Sequence, residues 1–135
     1  MRIGSYELPD ELLYNKDHSW VRLEGDTATL GVTSVAAGMA QEFVFVQLPK
    51  KGDQIKKGDT YISLEAVKWS GHLASPLSGQ VVDVNEAIFN NPGEINKRPY
   101  ESWLIKLKLT NPDEKNELLK PEQLKDWVGE ITKGK

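Results

Sequence analysis

The stretch FVFVQLPKKGDQIKKG, residues 43–58, decides how this chain can fold, because a looser copy of it, QVVDVNEAIFNNPGEINKRP, occupies residues 80–99. Each copy has a valine-rich segment that alternates as a β-strand does, then a turn, a glycine followed by an acidic residue, and an isoleucine. Ile55 in the first copy corresponds to Ile95 in the second. A further extended segment follows each copy. The pattern predicts a β-rich core built from two related halves.

The rest of the chain adds short elements to this core. Alternation over residues 20–32 predicts an N-terminal β-hairpin. The alanine-rich segment SVAAGMAQEF predicts a short internal helix with Thr33 or Ser34 as its cap. Past Pro112 the apolar period becomes helical, and we expect these helices to cover one end of the core. We therefore predict one mainly β domain over residues 1–135, with a core over about 13–110, a loop over 89–100 and a helical cap over about 112–131.

Composition narrows the possible functions. The chain has 135 residues, no cysteine and a formal net charge of −3. Without cysteine there is no disulfide, thiol nucleophile or zinc-thiolate site, and we expect no metal site. The acidic balance argues against a nucleic-acid surface, and no segment has the length of a membrane span. Two histidines, without a Gly-x-Ser-x-Gly elbow or a phosphate-binding loop, give little basis for an enzyme. No secretory signal precedes the first strand, so we expect a cytoplasmic protein.

One lysine lies at the boundary between the two halves of the repeat. In LEAVKWSGHL, residues 64–73, Lys68 follows an extended segment and precedes Ser70-Gly71, a pair that permits a tight reversal. The pattern predicts that Lys68 lies at or beside the tip of a protruding hairpin. An amine at a hairpin tip can accept a carboxylic acid as an amide, which removes its charge and makes a swinging arm. The alternative is an unmodified lysine in a structural or interaction module.

Longer stretches of the chain carry a family resemblance. Five stretches have the residues, order and spacing of one protein family: HSWVRLEGDTATLGVT, FVFVQLP, LEAVK, SPLSGQVVDVN and PYESWLIKLKL. Through them residues 13–131 resemble the H protein of the glycine cleavage system, a lipoyl carrier. The resemblance implies a barrel-sandwich hybrid of the biotinyl- and lipoyl-carrier type, with lipoate attached covalently to Lys68. Biotin carriers usually flank the lysine with methionines, whereas this chain has Val67 and Trp69.

The resemblance also implies a set of partners and a non-catalytic role. A lipoate-protein ligase or lipoyl transferase would attach the lipoyl group. Glycine decarboxylase would then load an aminomethyl group, an aminomethyltransferase would remove it, and dihydrolipoamide dehydrogenase would reoxidise the arm. The chain itself would be a carrier subunit without turnover of its own.

Three positions near the expected arm cleft depart from the family pattern, and His18 lies next to one of them. Ser19 stands where family members have glutamate, Val35 where they have histidine or tyrosine, and His72 where they have an acid. The resemblance would use such groups to hold a cationic aminomethyl arm, which needs acceptors when it is buried. A second pathway therefore stays open, in which an H-like lipoate-binding protein serves a heterodisulfide-reductase-like complex in sulfur oxidation. For His18 we predict a structural hydrogen bond rather than catalysis.

Residues beside Lys68 are candidates for recognition of the hairpin. Trp69 would be exposed at a tip, where it would contact a partner, or else it folds back over its own barrel. Glu65 is a candidate for recognition by the ligase. Val67 and Gly71 complete the segment that a modifying enzyme would meet.

Overall fold

A computed structural model describes residues 1–67 and 69–133 of the protein. Over these residues the chain consists of short antiparallel strands joined by turns and a few short helices. The strands are β1 (Arg2–Ile3), β2 (Tyr6–Glu7), β3 (Leu13–Tyr14), β4 (Ser19–Glu24), β5 (Thr27–Val32), β6 (Phe43–Gln47), β7 (Gln54–Ile55), β8 (Thr60–Ala66), β9 (Ser70–Ala74), β10 (Gly79–Val84) and β11 (Ile105–Leu109). The helices are α1 (Ser34–Ala40), α2 (Glu86–Asn90), α3 (Glu94–Lys97) and α4 (Pro121–Ile131), with a 3₁₀ helix over Pro112–Glu117.

Two sheets face each other across the main core. One has the strand order β3-β4-β5-β11-β10-β7, and the other has the order β6-β8-β9. Apolar side chains from both sheets meet between them, among them Leu30 and Leu107 from the first and Val46, Leu64 and Leu73 from the second. The predicted mainly β fold of stacked antiparallel sheets is confirmed.

The repeat in the sequence corresponds to a repeat of strand pairs. β6 pairs with β8 and β10 pairs with β11, in both cases antiparallel. Ile55 and Ile95 are both buried in the main core, as their equivalent positions predict. The turns differ, however, because Gly52 has a left-handed φ of 95° whereas Gly93 precedes a helix at a φ of −62°. The related halves therefore share their strands but not their connections.

Local sequence signals explain the first hairpin and the helix that follows it. β4 and β5 pair antiparallel from Ser19↔Val32 to Glu24↔Thr27, as predicted. The Thr33 side chain accepts a hydrogen bond from the N–H of Ala36 at 3.3 Å, so Thr33 is the N-cap of α1. The helix stops at Ala40, three residues earlier than predicted, because Gln41 adopts a left-handed φ of 66°.

One prediction about the second half of the chain is wrong. The segment 89–100, predicted as a loop, contains the end of α2 and all of α3. Asn96 of α3 accepts a hydrogen bond from the N–H of Phe43 at 2.9 Å and donates one to the C=O of Ala37 at 3.1 Å, so tertiary contacts hold this short helix. The helices predicted after Pro112 are present as the 3₁₀ helix over Pro112–Glu117 and as α4.

The N-terminal segment and α4 build a second apolar cluster. Residues 1–17, which look polar in the sequence, contribute Leu8, Leu12 and Tyr14 to it, and α4 contributes Leu124 and Val128. The C-terminal helix therefore packs on the N-terminal segment and on the outer strand of the large sheet. In the part of the chain that the structure describes, no helix is long and apolar enough to cross a membrane.

Candidate functional site: the hairpin around Lys68

The chain on either side of Lys68 forms a tight hairpin. β8 and β9 pair antiparallel, with Glu65 opposite Ser70 and Leu64 opposite Gly71. The N–H of Ala66 donates to the C=O of Trp69 at 2.6 Å, so the chain reverses between these two residues. Lys68 itself lies outside the described residues.

The predicted reversal at Ser70-Gly71 is wrong, because both residues already belong to β9. The strand alternation continues through them, and the turn comes earlier, beside Val67. Val67 has 69% of its surface exposed. The N–H of Val67 also contacts the C=O of Glu42 at 3.4 Å, which ties the turn to the start of β6.

Cross-strand pairing determines which residues share each face of this hairpin. Residues directly opposite one another point to the same side of a sheet. Phe45, Glu65 and Ser70 therefore share the outward face, whereas Leu64 and Gly71 share the face toward the core. The exposure of Phe45 and the burial of Leu64 agree with this assignment.

Trp69 folds back over the protein instead of projecting from the hairpin. It is 37% exposed, and its ring meets Phe43 edge-on with centroids 6.3 Å apart. The indole lies against Gly71, where an added Cβ would come within 2.6 Å of Cζ2 of Trp69. Gly71 therefore makes room for the tryptophan, a role that the sequence did not indicate.

Trp69 and His18 line a small pocket against helix α1. Its other lining residues are Ala36, Met39 and Ala40, and its volume is about 60 Å³. None of these lining residues carries a carboxylate. The lining is thus mainly apolar, with the imidazole of His18 and the indole of Trp69 as its polar side chains, and the sequence offered no signal that α1 would contribute to it.

His18 is a half-buried residue with a strained backbone. Its φ is 70°, and its ring lies 5.3 Å from that of Trp127. Within the described residues its buried Nδ1 has no hydrogen-bond partner, so the predicted structural hydrogen bond is wrong for this atom. Burial lowers the pKa of His18 below its ordinary value, and the nearby Asp17 carboxylate offsets this only in part. The neutral imidazole is therefore the favoured form in the folded protein.

The other three predicted cleft residues do not join His18 at this pocket. Ser19 is fully buried, and its Oγ lies 2.7 Å from the hydroxyl of Tyr61. Burial raises the pKa of Tyr61, so this hydroxyl stays protonated. Val35 is buried in the second apolar cluster. His72 is exposed on the outward face of the hairpin, where its Nδ1 lies 2.7 Å from Oγ of Ser63.

Asp17 anchors the base of the hairpin, a contact that sequence reasoning missed. Its Oδ2 accepts a hydrogen bond from the N–H of Ala74, the last residue of β9, at 2.5 Å. Asn15 donates to the C=O of the same Ala74 at 3.3 Å. The loop that carries His18 is therefore attached to the strand that follows Lys68. No group of three metal-binding side chains occurs among residues 1–67 and 69–133.

The architecture defines the class of protein. Antiparallel sheets stacked as a barrel-sandwich hybrid, with a paired hairpin whose two strands flank a lysine in the sequence, are the arrangement of a covalent cofactor carrier. The model of the glycine cleavage H-protein family matches residues 12–131. The chain therefore belongs to the glycine cleavage H-protein family, whose members carry lipoate and have no catalytic activity of their own.

Individual relatives agree with the family match. The chain is 42% identical to the glycine cleavage system H protein of Staphylococcus haemolyticus, over 91% of this chain and 98% of that protein. It is 41% identical to the corresponding protein of Staphylococcus carnosus over the same shares. The crystal structure of a glycine cleavage system H protein from Mycobacterium marinum matches 90% of this chain and 99% of its own, with a TM-score of 0.81 and 32% identity.

Proposed function

We propose that the chain carries a lipoyl group in amide linkage to Lys68 and shuttles an aminomethyl group between the enzymes of the glycine cleavage system. The observation that carries the proposal is the hairpin, in which β8 and β9 are paired up to the hydrogen bond between Ala66 and Trp69. Paired strands on both sides hold the base of an attached arm while leaving the arm itself long and flexible.

The residues beside Lys68 fit such an attachment. Val67 is largely exposed and the turn is tied to β6 through Glu42, so an enzyme can reach the turn without unfolding it. We infer that a lipoate-protein ligase or lipoyl transferase forms the amide from an activated carboxyl group, and that Glu65 on the outward face helps it to recognise the hairpin. When attached, lipoate supplies a dithiolane that opens on reduction and recloses on oxidation.

The partners follow from the same proposal. Glycine decarboxylase loads the arm, an aminomethyltransferase unloads it, and dihydrolipoamide dehydrogenase reoxidises it. The chain contributes the attachment point and the surfaces that these enzymes meet, and it needs no catalytic residue for that role.

The lining of the pocket beside the hairpin favours a second cargo. The pocket offers the neutral imidazole of His18 and mainly apolar side chains, and no carboxylate lines it. A buried ammonium group needs an opposite charge, whereas a neutral sulfur-bearing group does not. The second candidate is therefore an H-like lipoate-binding protein that serves a heterodisulfide-reductase-like sulfur-oxidation complex.

The test is the mass of the peptide that contains Lys68, taken from protein purified out of its native cells. We expect a lipoyl-sized increment, with an aminomethyl adduct for glycine cleavage or added sulfur for the second candidate. A matched pair of variants supports the assignment: Lys68→Arg abolishes lipoylation by a ligase, and Lys51→Arg, in another turn, leaves it unchanged. Unmodified Lys68 throughout would leave only a structural or interaction module.

A further inference from the structure

The pocket between the hairpin and α1 is too small for the end of a lipoyl arm. Its volume is about 60 Å³. A dry cavity that admits benzene measures about 150 Å³, and the five-membered dithiolane ring of lipoate, which holds two sulfur atoms, has a bulk close to that of benzene. The ring therefore does not fit this pocket as the structure shows it. Its entry requires one wall of the pocket to move.

Trp69 is a wall that can move without unfolding its surroundings. Ala36 and Ala40, which also line the pocket, are buried in α1 and belong to the main core, so they are fixed. Trp69 is 37% exposed, so part of its indole already borders solvent. The N–H of Ala66 donates to the C=O of Trp69 and holds its main chain. A rotation of the Trp69 side chain therefore leaves the pairing of β8 and β9 intact.

Two contacts keep the indole of Trp69 against the protein. Its ring meets the ring of Phe43 edge-on, with centroids 6.3 Å apart. It also lies over Gly71, at which an added Cβ would come within 2.6 Å of Cζ2 of the indole. Both are contacts of the side chain alone, and the second depends on the absence of a side chain at residue 71. The position of the indole can therefore be changed from either side of the contact.

The closed pocket leaves a polar atom without a partner. Within the described residues, Nδ1 of His18 is buried and has no hydrogen-bond partner. His18 also has a left-handed φ of 70°. A buried polar atom without a partner raises the free energy of the state that contains it, and backbone strain of this kind is concentrated at ligand sites. Both features are typical of a pocket that has an open state as well as a closed one.

We propose that Trp69 is the gate of this pocket. While the indole lies on Gly71 and Phe43, the pocket is closed to a dithiolane ring, and outward rotation of the indole opens it. The inference rests on the proposed function, in which the ring is the end of an arm on Lys68, the residue that precedes Trp69 in the sequence. Trp69 thereby determines whether the end of the arm is exposed to solvent and to partner enzymes or sheltered beside α1.

The first experiment uses unmodified protein and lipoamide added in solution. Binding is followed by NMR through the backbone amides of Ala36 and Ala40, which line the pocket. Trp69→Ala and Gly71→Ala should bind lipoamide at least about tenfold more tightly than wild type, because the wild-type affinity is reduced by the small fraction of molecules whose gate is open. The control Phe89→Ala removes another exposed aromatic side chain, on α2, and should behave as wild type.

The second experiment measures the accessibility of the arm on lipoylated protein. A water-soluble phosphine reduces the disulfide of the arm to two thiols and is itself oxidised to the phosphine oxide, with oxygen from water. In wild type the rate should lie within about twofold of the rate for free lipoamide, whereas in Trp69→Ala it should fall at least about threefold, because a sheltered arm reacts only during the fraction of time it spends outside the pocket.

The outcomes separate the gate from the proposed function. If Lys68 is unmodified in native cells, the proposed function fails, and the lipoamide titration still decides whether Trp69 closes the pocket. The gate is refuted if wild type binds lipoamide as tightly as Trp69→Ala does. It is equally refuted if Trp69→Ala and Gly71→Ala are folded but their Ala36 and Ala40 amides do not respond, or if the arm is reduced as slowly in wild type as in Trp69→Ala.

Discussion

Gly71→Ala tests the contact that holds Trp69 beside the proposed attachment site. A methyl group at residue 71 would lie 2.6 Å from Cζ2 and 2.8 Å from Cη2 of the Trp69 indole. These separations are far inside van der Waals contact, so the ring must move. Because Trp69 is already 37% exposed, we expect it to swing outward and leave the backbone of β9 in place.

The magnitude follows from the surface that the indole would lose. About two-thirds of the tryptophan is buried, and a tryptophan side chain buries up to about 250 Å². Swinging outward would expose roughly half of the buried part, about 80 Å², which at 25 cal/mol per Å² is about 2 kcal/mol. The same figure lies within the ~1–3 kcal/mol typical of overpacked sites.

The assay is urea unfolding of a double-mutant cycle. We expect Gly71→Ala to cost about 2 kcal/mol in the wild-type background and less than ~0.5 kcal/mol in a Trp69→Ala background, where no ring obstructs the methyl group. Gly93→Ala is the matched control, because its φ of −62° suits alanine and its nearest neighbour would lie 3.8 Å away. An equal cost of Gly71→Ala with and without the indole would refute the steric explanation.

Three further predictions concern buried groups. Gly31→Ala would drive a methyl group into the fully buried Trp20 ring, so we expect a loss of at least ~3 kcal/mol or failure to fold, measured by urea unfolding. The pKa of His18 is lowered in the folded protein, so the contribution of His18 to stability should be complete above the ordinary pKa of 6.5 and should be lost as the pH falls toward the folded-state pKa. His18→Asn keeps a residue that suits the positive φ and removes the titrating group. We expect this variant to show a flatter pH dependence of the unfolding midpoint between about pH 5 and 7. Ser19→Ala leaves the Tyr61 hydroxyl unpaired and should cost ~1–3 kcal/mol, whereas adding Tyr61→Phe should recover part of the loss in thermal unfolding.

Sequence patterns predicted those elements whose signals are local. Alternation over residues 20–32 predicted the first hairpin, and the hydroxyl of Thr33 predicted the start of α1. The short helices α2 and α3 have five and four residues, too few for an apolar period to show. They form because Ile88 and Ile95 reach the main core, which is a tertiary effect. The Asn-Pro-Gly run between them correctly marks a turn but hides the helices on each side.

The candidate site likewise has features that local sequence signals predict and features that depend on contacts between distant residues. The half-repeat and the residues next to Lys68 were enough to predict the hairpin, but not the place of its turn, because Ser70 and Gly71 look equally suited to reversal. Contacts between distant residues left no trace in the sequence. Ser19 and Tyr61 are 42 positions apart, and Asp17 and Ala74 are 57 apart. A single sequence contains no information on such pairs unless a motif connects them.

The position of Ser19 explains part of the departure from the family pattern. A carboxylate there would be buried against the Tyr61 hydroxyl, where it would need a cation that no described neighbour supplies, whereas a serine hydroxyl is satisfied by Tyr61 alone. Among the described residues Nδ1 of His18 has no hydrogen-bond partner, so it could accept one hydrogen bond from the proposed arm, but it adds no negative charge. An aminomethyl cation in this pocket would lose its water without gaining an opposite charge, so its desolvation free energy would not be compensated. A neutral cargo has no such charge to compensate. Family membership and pocket chemistry thus point to different cargoes for the proposed arm, and the mass of the Lys68 peptide from native cells distinguishes them.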